Sequence, residues 1–316
     1  MGAVHGPDVL DTGKGVVVAR EKGGFWVGLA ATFFYPLCAV LARRENRGTE
    51  RIPRQGGVLL VMNHVSHIDP MYDAVFVHKL RRVPRFLAKE SLFKPFLIGS
   101  VLRGSAQIAV YRGSADAKDS LRDANAALSN GKLVVIYPEG TITKQPEGWP
   151  MHARTGVARL ALDNDVLVLP VARWGTKEIL DLYNKKFRPF PRHHVTTVVG
   201  EPVDLSAYRD RPVTSAVLRE VTDLLMTSVT TMVAEVRGET PPTEVFRPTA
   251  KPKAVAEAPV APVAPEAPGA PVAPAADAPA AGSPAVEQPA APAPAVDPVP
   301  TPAEPDPAPA EPDTKA

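Results

Sequence analysis

The chain has 316 residues with 36 Lys and Arg against 34 Asp and Glu, a formal net charge of +2, and a single cysteine. One cysteine excludes an intrachain disulfide framework and suits a reducing compartment, and Cys38 lies in an apolar run that makes it a small buried hydrophobe rather than a nucleophile. The charge is uneven: from Ala250 onward there are 3 Lys against 9 Asp and Glu, a net of −6, which leaves 33 basic against 25 acidic residues, or +8, before it.

A basic body points to anionic partners, either phosphate-bearing substrates or acidic lipid. No aromatic-basic stacking pattern accompanies it, so no nucleic-acid partner is expected. Residues 247–316 hold 20 of the 36 prolines, spaced by Ala and Val. Such a stretch cannot bury enough apolar surface to offset its ordering entropy, so a disordered Pro/Ala-rich tail is expected over 241–316, with partners that the sequence does not name.

Before the tail, the sequence divides into an N-terminal segment, 1–48, and one α/β domain, 49–240. Phe25–Ala42 is eighteen residues without a charge, preceded by Arg20 and Lys22 and followed by Arg43 and Arg44. It is short for a spanning helix, and Gly28 and Pro36 loosen it. A helix or helical hairpin lying in the cytoplasmic membrane interface is predicted, with the arginines at anionic headgroups; an ordinary core helix is the other reading.

From there the pattern alternates as in α/β domains. Strands are predicted at Val58–Met62, Arg85–Ala88, Gln107–Tyr111, Leu133–Tyr137, Val166–Val171 and His194–Val199. Helices are predicted at Pro70–Lys79, Leu92–Leu102, Asp116–Leu128, Arg154–Leu162 and Thr214–Arg237. The expected product is a single mixed sheet covered by helices.

The chemistry concentrates at LLVMNHVSHIDP, residues 59–70. His64 and Asp69 stand five positions apart at a strand-to-helix junction, where α/β folds place reactive groups. One reading is a general base, His64, oriented by Asp69. The plainer one is a carboxylate capping the helix beside a strand-end histidine. A metal held by His64, His67 and Asp69 lacks a further ligand nearby, and none is expected.

Arg112 ends the Gln107–Tyr111 strand and suits bidentate phosphate binding; a solvated surface arginine is the other reading. Glu139, in Tyr137-Pro138-Glu139-Gly140-Thr141, is delivered at a strand's carboxyl end, with Gly140 permitting a tight turn. It would position an acceptor hydroxyl or hold an arginine; a turn carboxylate is the alternative. No Gly-x-Ser-x-Gly elbow, P-loop or dinucleotide fingerprint is present.

Taken in order, these blocks resemble the glycerolipid acyltransferase family that acylates lysophosphatidic acid, the 1-acyl-sn-glycerol-3-phosphate acyltransferases. The resemblance runs through Asn63-His64-x4-Asp69, Lys89-Glu90-Ser91-Leu92-Phe93 with the Gly104–Arg112 strand, Tyr137–Thr141, and Leu169-Pro170-Val171. It covers roughly residues 50–205. It implies that His64 deprotonates the acceptor hydroxyl, which attacks an acyl thioester of CoA or acyl carrier protein directly, with Asp69 supporting the imidazole.

By the same resemblance Arg112, Glu139, Gly140 and Thr141 bind the phosphate-bearing acceptor. No cofactor beyond the thioester is implied, and the enzyme is placed on the cytoplasmic face of the cell membrane, peripheral or monotopic. One departure stands out: where the family often has arginine then serine after Glu-Gly-Thr, this chain has Ile142 and Thr143, followed by an insert, Lys144–Met151. A replacement cation would come from Lys144, His152, Arg154 or Arg159.

Overall fold

A computed structural model describes residues 21–110 and 117–248; of the expected tail only 241–248 are described, with the Phe246 carbonyl accepting the His152 N–H (2.9 Å), and its remainder and Arg112 lie outside the described residues. Its sheet has seven strands in the order β1 (Ala42–Arg47), β9 (His193–Val199), β6 (Leu167–Trp174), β2 (Val58–Met62), β5 (Leu133–Ile136), β3 (Pro84–Lys89), β4 (Ile108–Val110). All pairings are parallel except β6 with β9. The mixed, helix-covered sheet expected from the sequence is the fold observed.

β2 lies at the centre, and all five of its residues are buried. A strand covered on both faces reads as a continuous apolar run rather than an alternating one. Leu59 and Val61 face α4 (Ala117–Ser129), α5 (Gly156–Asp163) and α8 (Ser215–Arg237). Val58, Leu60 and Met62 face α2 (Asp69–Lys79).

The long helix α8 has a built start and stop. The Thr214 hydroxyl accepts the Val217 N–H (3.3 Å), and Gly238 closes the other end in the left-handed region at φ 66°. Between them Val217, Val221, Leu225, Val229 and Val233 recur every fourth residue and enter the core.

Three differences from expectation bear on the sheet and its cover. Leu92–Leu102 is not one helix: a 3-10 turn, Glu90–Phe93, is separated by Pro95 from α3 (Phe96–Gly104). Lys94 keeps helical angles, and the run breaks at Pro95 itself, which is extended at φ −63° and ψ 133°. β6 continues past Pro170 to Trp174, because the Pro170 carbonyl accepts the Gly200 N–H (2.8 Å) beyond the end of the β9 ladder. A residue's N and O point to the same side of a strand, so the missing N–H falls where no ladder partner waits.

The third difference is β1, an edge strand of sequence ARRENR for which no strand was predicted. Its charges leave no apolar alternation to read, and they suit an edge that must not recruit other strands.

α1 (Gly24–Leu41) is one continuous helix through Pro36, long and apolar enough by length and composition to cross a membrane. Only Cys38 and Leu41 are buried, so it is neither a hairpin nor a core helix. Its Trp26 ring lies against Gly104, where a Cβ would sit 1.9 Å from the indole. Two short helices, α6 (Thr176–Ile179) and α7 (Ser206–Arg209), and a two-stranded hairpin, β7 (Leu180–Asp181) and β8 (Lys186–Phe187), complete the described elements.

Candidate active site

β2 ends at Met62, and the following loop carries His64 over the carboxyl edge of the sheet before α2 begins at Asp69. The His64 Nδ1 lies 2.9 Å from Asp69 Oδ2. An ionised carboxylate only accepts, so Nδ1 carries the hydrogen and Nε2 is left free to take a proton.

Asp69 does not cap its own helix. Its Oδ2 turns back to accept the N–H groups of Val65 (2.7 Å) and Ser66 (2.8 Å), and its Oδ1 accepts the Thr176 hydroxyl. Asp69 is fully buried. Burial alone would raise its pKa, but hydrogen bonds from His64 and Thr176 and the charges of His64 and Arg173 hold it below the usual carboxylate range. Thr176 reaches it because Gly175 turns the chain at φ 98°, where a Cβ would meet the His194 carbonyl at 1.9 Å.

Behind the imidazole stands Tyr137, whose ring stacks on His64 with centroids 4.3 Å apart and planes 16° from parallel. The Tyr137 hydroxyl donates to Asp73 Oδ2 (2.5 Å), and Asp73 is paired through its other oxygen with Arg173. Both partners of that ion pair are buried, and burial brings the Arg173 guanidinium down to about 10, so it stays charged at neutral pH. Asn63 fixes the base of the loop by a reciprocal pair with the Arg173 backbone, donating to its carbonyl (2.9 Å) and accepting its N–H (2.8 Å).

Glu139 is brought to His64, but to its backbone. One carboxylate oxygen accepts the His64 N–H (2.9 Å) and the other the Met151 N–H (3.1 Å). The His64 carbonyl in turn accepts the Thr143 N–H (2.8 Å). Both backbone groups of the histidine are therefore held by the segment that follows β5. Burial pushes the Glu139 carboxyl up to about 8, the two N–H groups opposing it.

Gly140 sits at φ 71° with the Arg154 side chain against it: a Cβ there would lie 3.0 Å from Arg154 Nε. Of the four cations expected to replace the missing arginine, Arg154 is the one packed against Gly140.

His64, Tyr137, Gly140, Thr141 and Ile142 line a cavity of about 560 Å³. Its other walls are mostly apolar, from Val27, Ala31 and Phe34 of α1, Ala74 of α2 and Leu102 of α3, with His67, Lys89 and Gln107 adding polar groups. The imidazole thus opens onto a volume of the size and polarity of a small-molecule site.

Sequence reasoning missed Thr176, Asp73 and Arg173 as parts of this assembly, and had Asn63 only as a member of the block that carries His64 and Asp69. Asp73 had a signal, since it follows Asp69 by four residues and shares its helix face. Arg173 and Thr176 had none: they arrive more than a hundred residues later, through sheet order alone.

The site thus joins a His–Asp pair at the carboxyl edge of the central strand to a mostly apolar cavity. Residues 43–174 match the family model described as Acyltransferase, and that part of the chain is a domain of this family. The 1-acyl-sn-glycerol-3-phosphate acyltransferase of Borreliella burgdorferi is 29% identical over 136 residues, 41% of this chain and 50% of its own length. The N-acylphosphatidylethanolamine synthase of Arabidopsis thaliana is 28% identical over 159 residues, 46% of this chain and 56% of its own length. The chain spans about half the length of these curated relatives. The crystal structure of the 1-acyl-sn-glycerophosphate (LPA) acyltransferase PlsC from Thermotoga maritima shares the fold, with a TM-score of 0.52 and 24% identity over 68% of this chain and 81% of that one.

Proposed function

We propose that the protein transfers a fatty acyl group from an acyl thioester, of CoA or acyl carrier protein, to the free hydroxyl of lysophosphatidic acid, forming phosphatidic acid. The observation that carries the reading is the His64–Asp69 pair, 2.9 Å apart, opening onto a mostly apolar cavity beside α1. His64 Nε2 takes the hydroxyl proton as the acceptor oxygen attacks the thioester carbonyl. The imidazolium, stabilised by Asp69, then returns the proton to the departing thiolate, so no acyl-enzyme forms. The acyl chain lies in the cavity. Arg112, Gly140 and Thr141 hold the phosphate-bearing acceptor, with Arg154 as the cation beside Gly140, and Glu139 acts by fixing the His64 backbone.

α1 seats the molecule on the cytoplasmic face of the membrane, its exposed Phe25 and Phe33 among acyl chains. The similarity to an N-acylphosphatidylethanolamine synthase supports a second reading in which the reaction is kept and the acceptor changes, to another lysophospholipid, glycerol-3-phosphate or a glycolipid.

The test is acyl transfer from acyl-CoA and from acyl carrier protein to a panel of acceptors, recording thiol release and lipid product. The expected result is product from lysophosphatidic acid that His64→Ala abolishes while the fold, read by circular dichroism, persists. Histidine-dependent product from a different acceptor selects the second reading. No product from any acceptor with either donor refutes the enzyme and leaves a lipid-binding protein.

A further inference from the structure

Between α6 and β9 the chain projects the β7–β8 hairpin and its return segment, residues 180–192, which the reaction described above does not use. This segment exposes Leu182, Tyr183, Phe187 and Phe190, each at least half accessible. Interleaved with them are Lys185, Lys186, Arg188 and Arg192, all exposed, and its one acidic residue, Asp181, is buried and accepts hydrogen bonds from Asn184. Four aromatic or aliphatic side chains among four exposed cations, of which only Lys186 has an acidic neighbour in the segment, Asp181, form a surface that is unfavourable in water and suited to an anionic interface. A core-forming hairpin would bury the rings, and a purely solvated one would not carry them.

Two contacts bolt this hairpin to the catalytic loop. The Ser66 hydroxyl donates to the Leu180 carbonyl (2.6 Å), and the Tyr183 hydroxyl donates to the Ile142 carbonyl (3.3 Å). The Tyr183 ring also meets His67 edge-on at 6.5 Å. At its far end the segment runs into β9, where His193 pairs with Ala42, the residue directly after α1, and Arg192 donates to the Ala42 carbonyl (3.3 Å). The hairpin is therefore continuous with the foot of α1, where Leu37 and Val40 are also exposed.

We propose that the β7–β8 hairpin is a second membrane-contacting element, which inserts Leu182, Phe187 and Phe190 into the headgroup region of an anionic bilayer while Lys185, Lys186 and Arg188 meet lipid phosphates. The inference deepens the reading in which α1 sits on the membrane. With both elements engaged, the molecule is held at two places, and His64 lies next to the segment that joins them to the site. Each basic side chain near an anionic leaflet contributes on the order of a fivefold gain in partitioning.

The test uses the full chain with a single environment-sensitive fluorophore on Phe187→Cys, and separately on Phe25→Cys to report α1; native Cys38 is buried, and unmutated protein carried through labelling measures its background. Vesicles of phosphatidylcholine with phosphatidylglycerol are titrated against vesicles of phosphatidylcholine alone. The expected result is a blue shift of the Phe187 probe on the anionic vesicles, reversed by high salt. Replacing Lys185, Lys186 and Arg188 with Gln should lower partitioning by on the order of 100-fold.

A silent Phe187 probe alongside a shifting Phe25 probe overturns the hairpin inference and leaves α1 as the anchor. A shifting Phe187 probe with a silent Phe25 probe supports the hairpin and refutes the α1 seat. A blue shift that grows with protein concentration without vesicles identifies a second copy of the chain as the occupant and also overturns the inference.

Discussion

Both oxygens of Asp69 are occupied before any substrate arrives, by His64, two backbone N–H groups and Thr176. Replacing His64 with Ala should lower kcat by about 10³-fold or more, the usual worth of a positioned general base. Thr176→Val removes one donor from a buried carboxylate, which should cost about 1–3 kcal/mol of stability and lower kcat several-fold; thermal melts and initial rates on the same preparation check both. Glu139 behaves oppositely to Asp69 with pH. Its pKa is raised to about 8 in the fold, against about 4.3 unfolded. Between those values the unfolded chain has lost the proton that the folded chain keeps, so this carboxyl makes stability fall as pH rises, until the loss levels off above 8. The difference in Tm between the unmutated protein and Glu139→Gln should therefore change between pH 5 and 8, in the direction that favours Gln at the alkaline end. A difference independent of pH would contradict the shifted value.

At the scale of elements, the cavity depends on what α1, α2, β3 and α3 bring to it. Ala74 on α2 lines the wall, so Ala74→Phe should fill part of the volume and shift donor preference toward shorter acyl chains, read from rates across a chain-length series. Much of this architecture was legible beforehand. β2 and β5 announced themselves because a doubly covered strand is an unbroken apolar run, and α8 through its four-residue apolar spacing and its capping threonine. β1 was illegible because its partner, β9, lies about 150 residues away and an edge strand needs no apolar alternation. The end of β6 was illegible for a related reason: whether the strand runs on past Pro170 depends on whether the proline nitrogen faces a ladder partner, and so on which neighbour lies alongside. Within the site, His64, Asp69 and Glu139 were readable as neighbours in chemistry, but the target of Glu139 was not. A carboxylate aimed at a backbone N–H leaves no signature in the residue it serves.

At the scale of the whole molecule, the split between a +8 body and a −6 Pro/Ala extension predicts that a chain ending at residue 248 keeps the acyl-transfer activity of the full chain, measured with detergent-dispersed acceptor. The join between helix and sheet carries a different consequence. α1 ends at Leu41 and β1 begins at Ala42, both buried, with no residue between them. A helix lying against a bilayer is usually tethered to its domain by a flexible stretch, which lets the domain tumble. Here the helix is a rigid handle: any tilt or roll it adopts among lipids is transmitted to the sheet as a torque, and the pose of the site relative to the lipid plane is geared to the pose of the helix. Inserting four glycines between Leu41 and Ala42 would disengage that gear, so turnover of acceptor embedded in vesicles should drop several-fold more than turnover of acceptor in micelles.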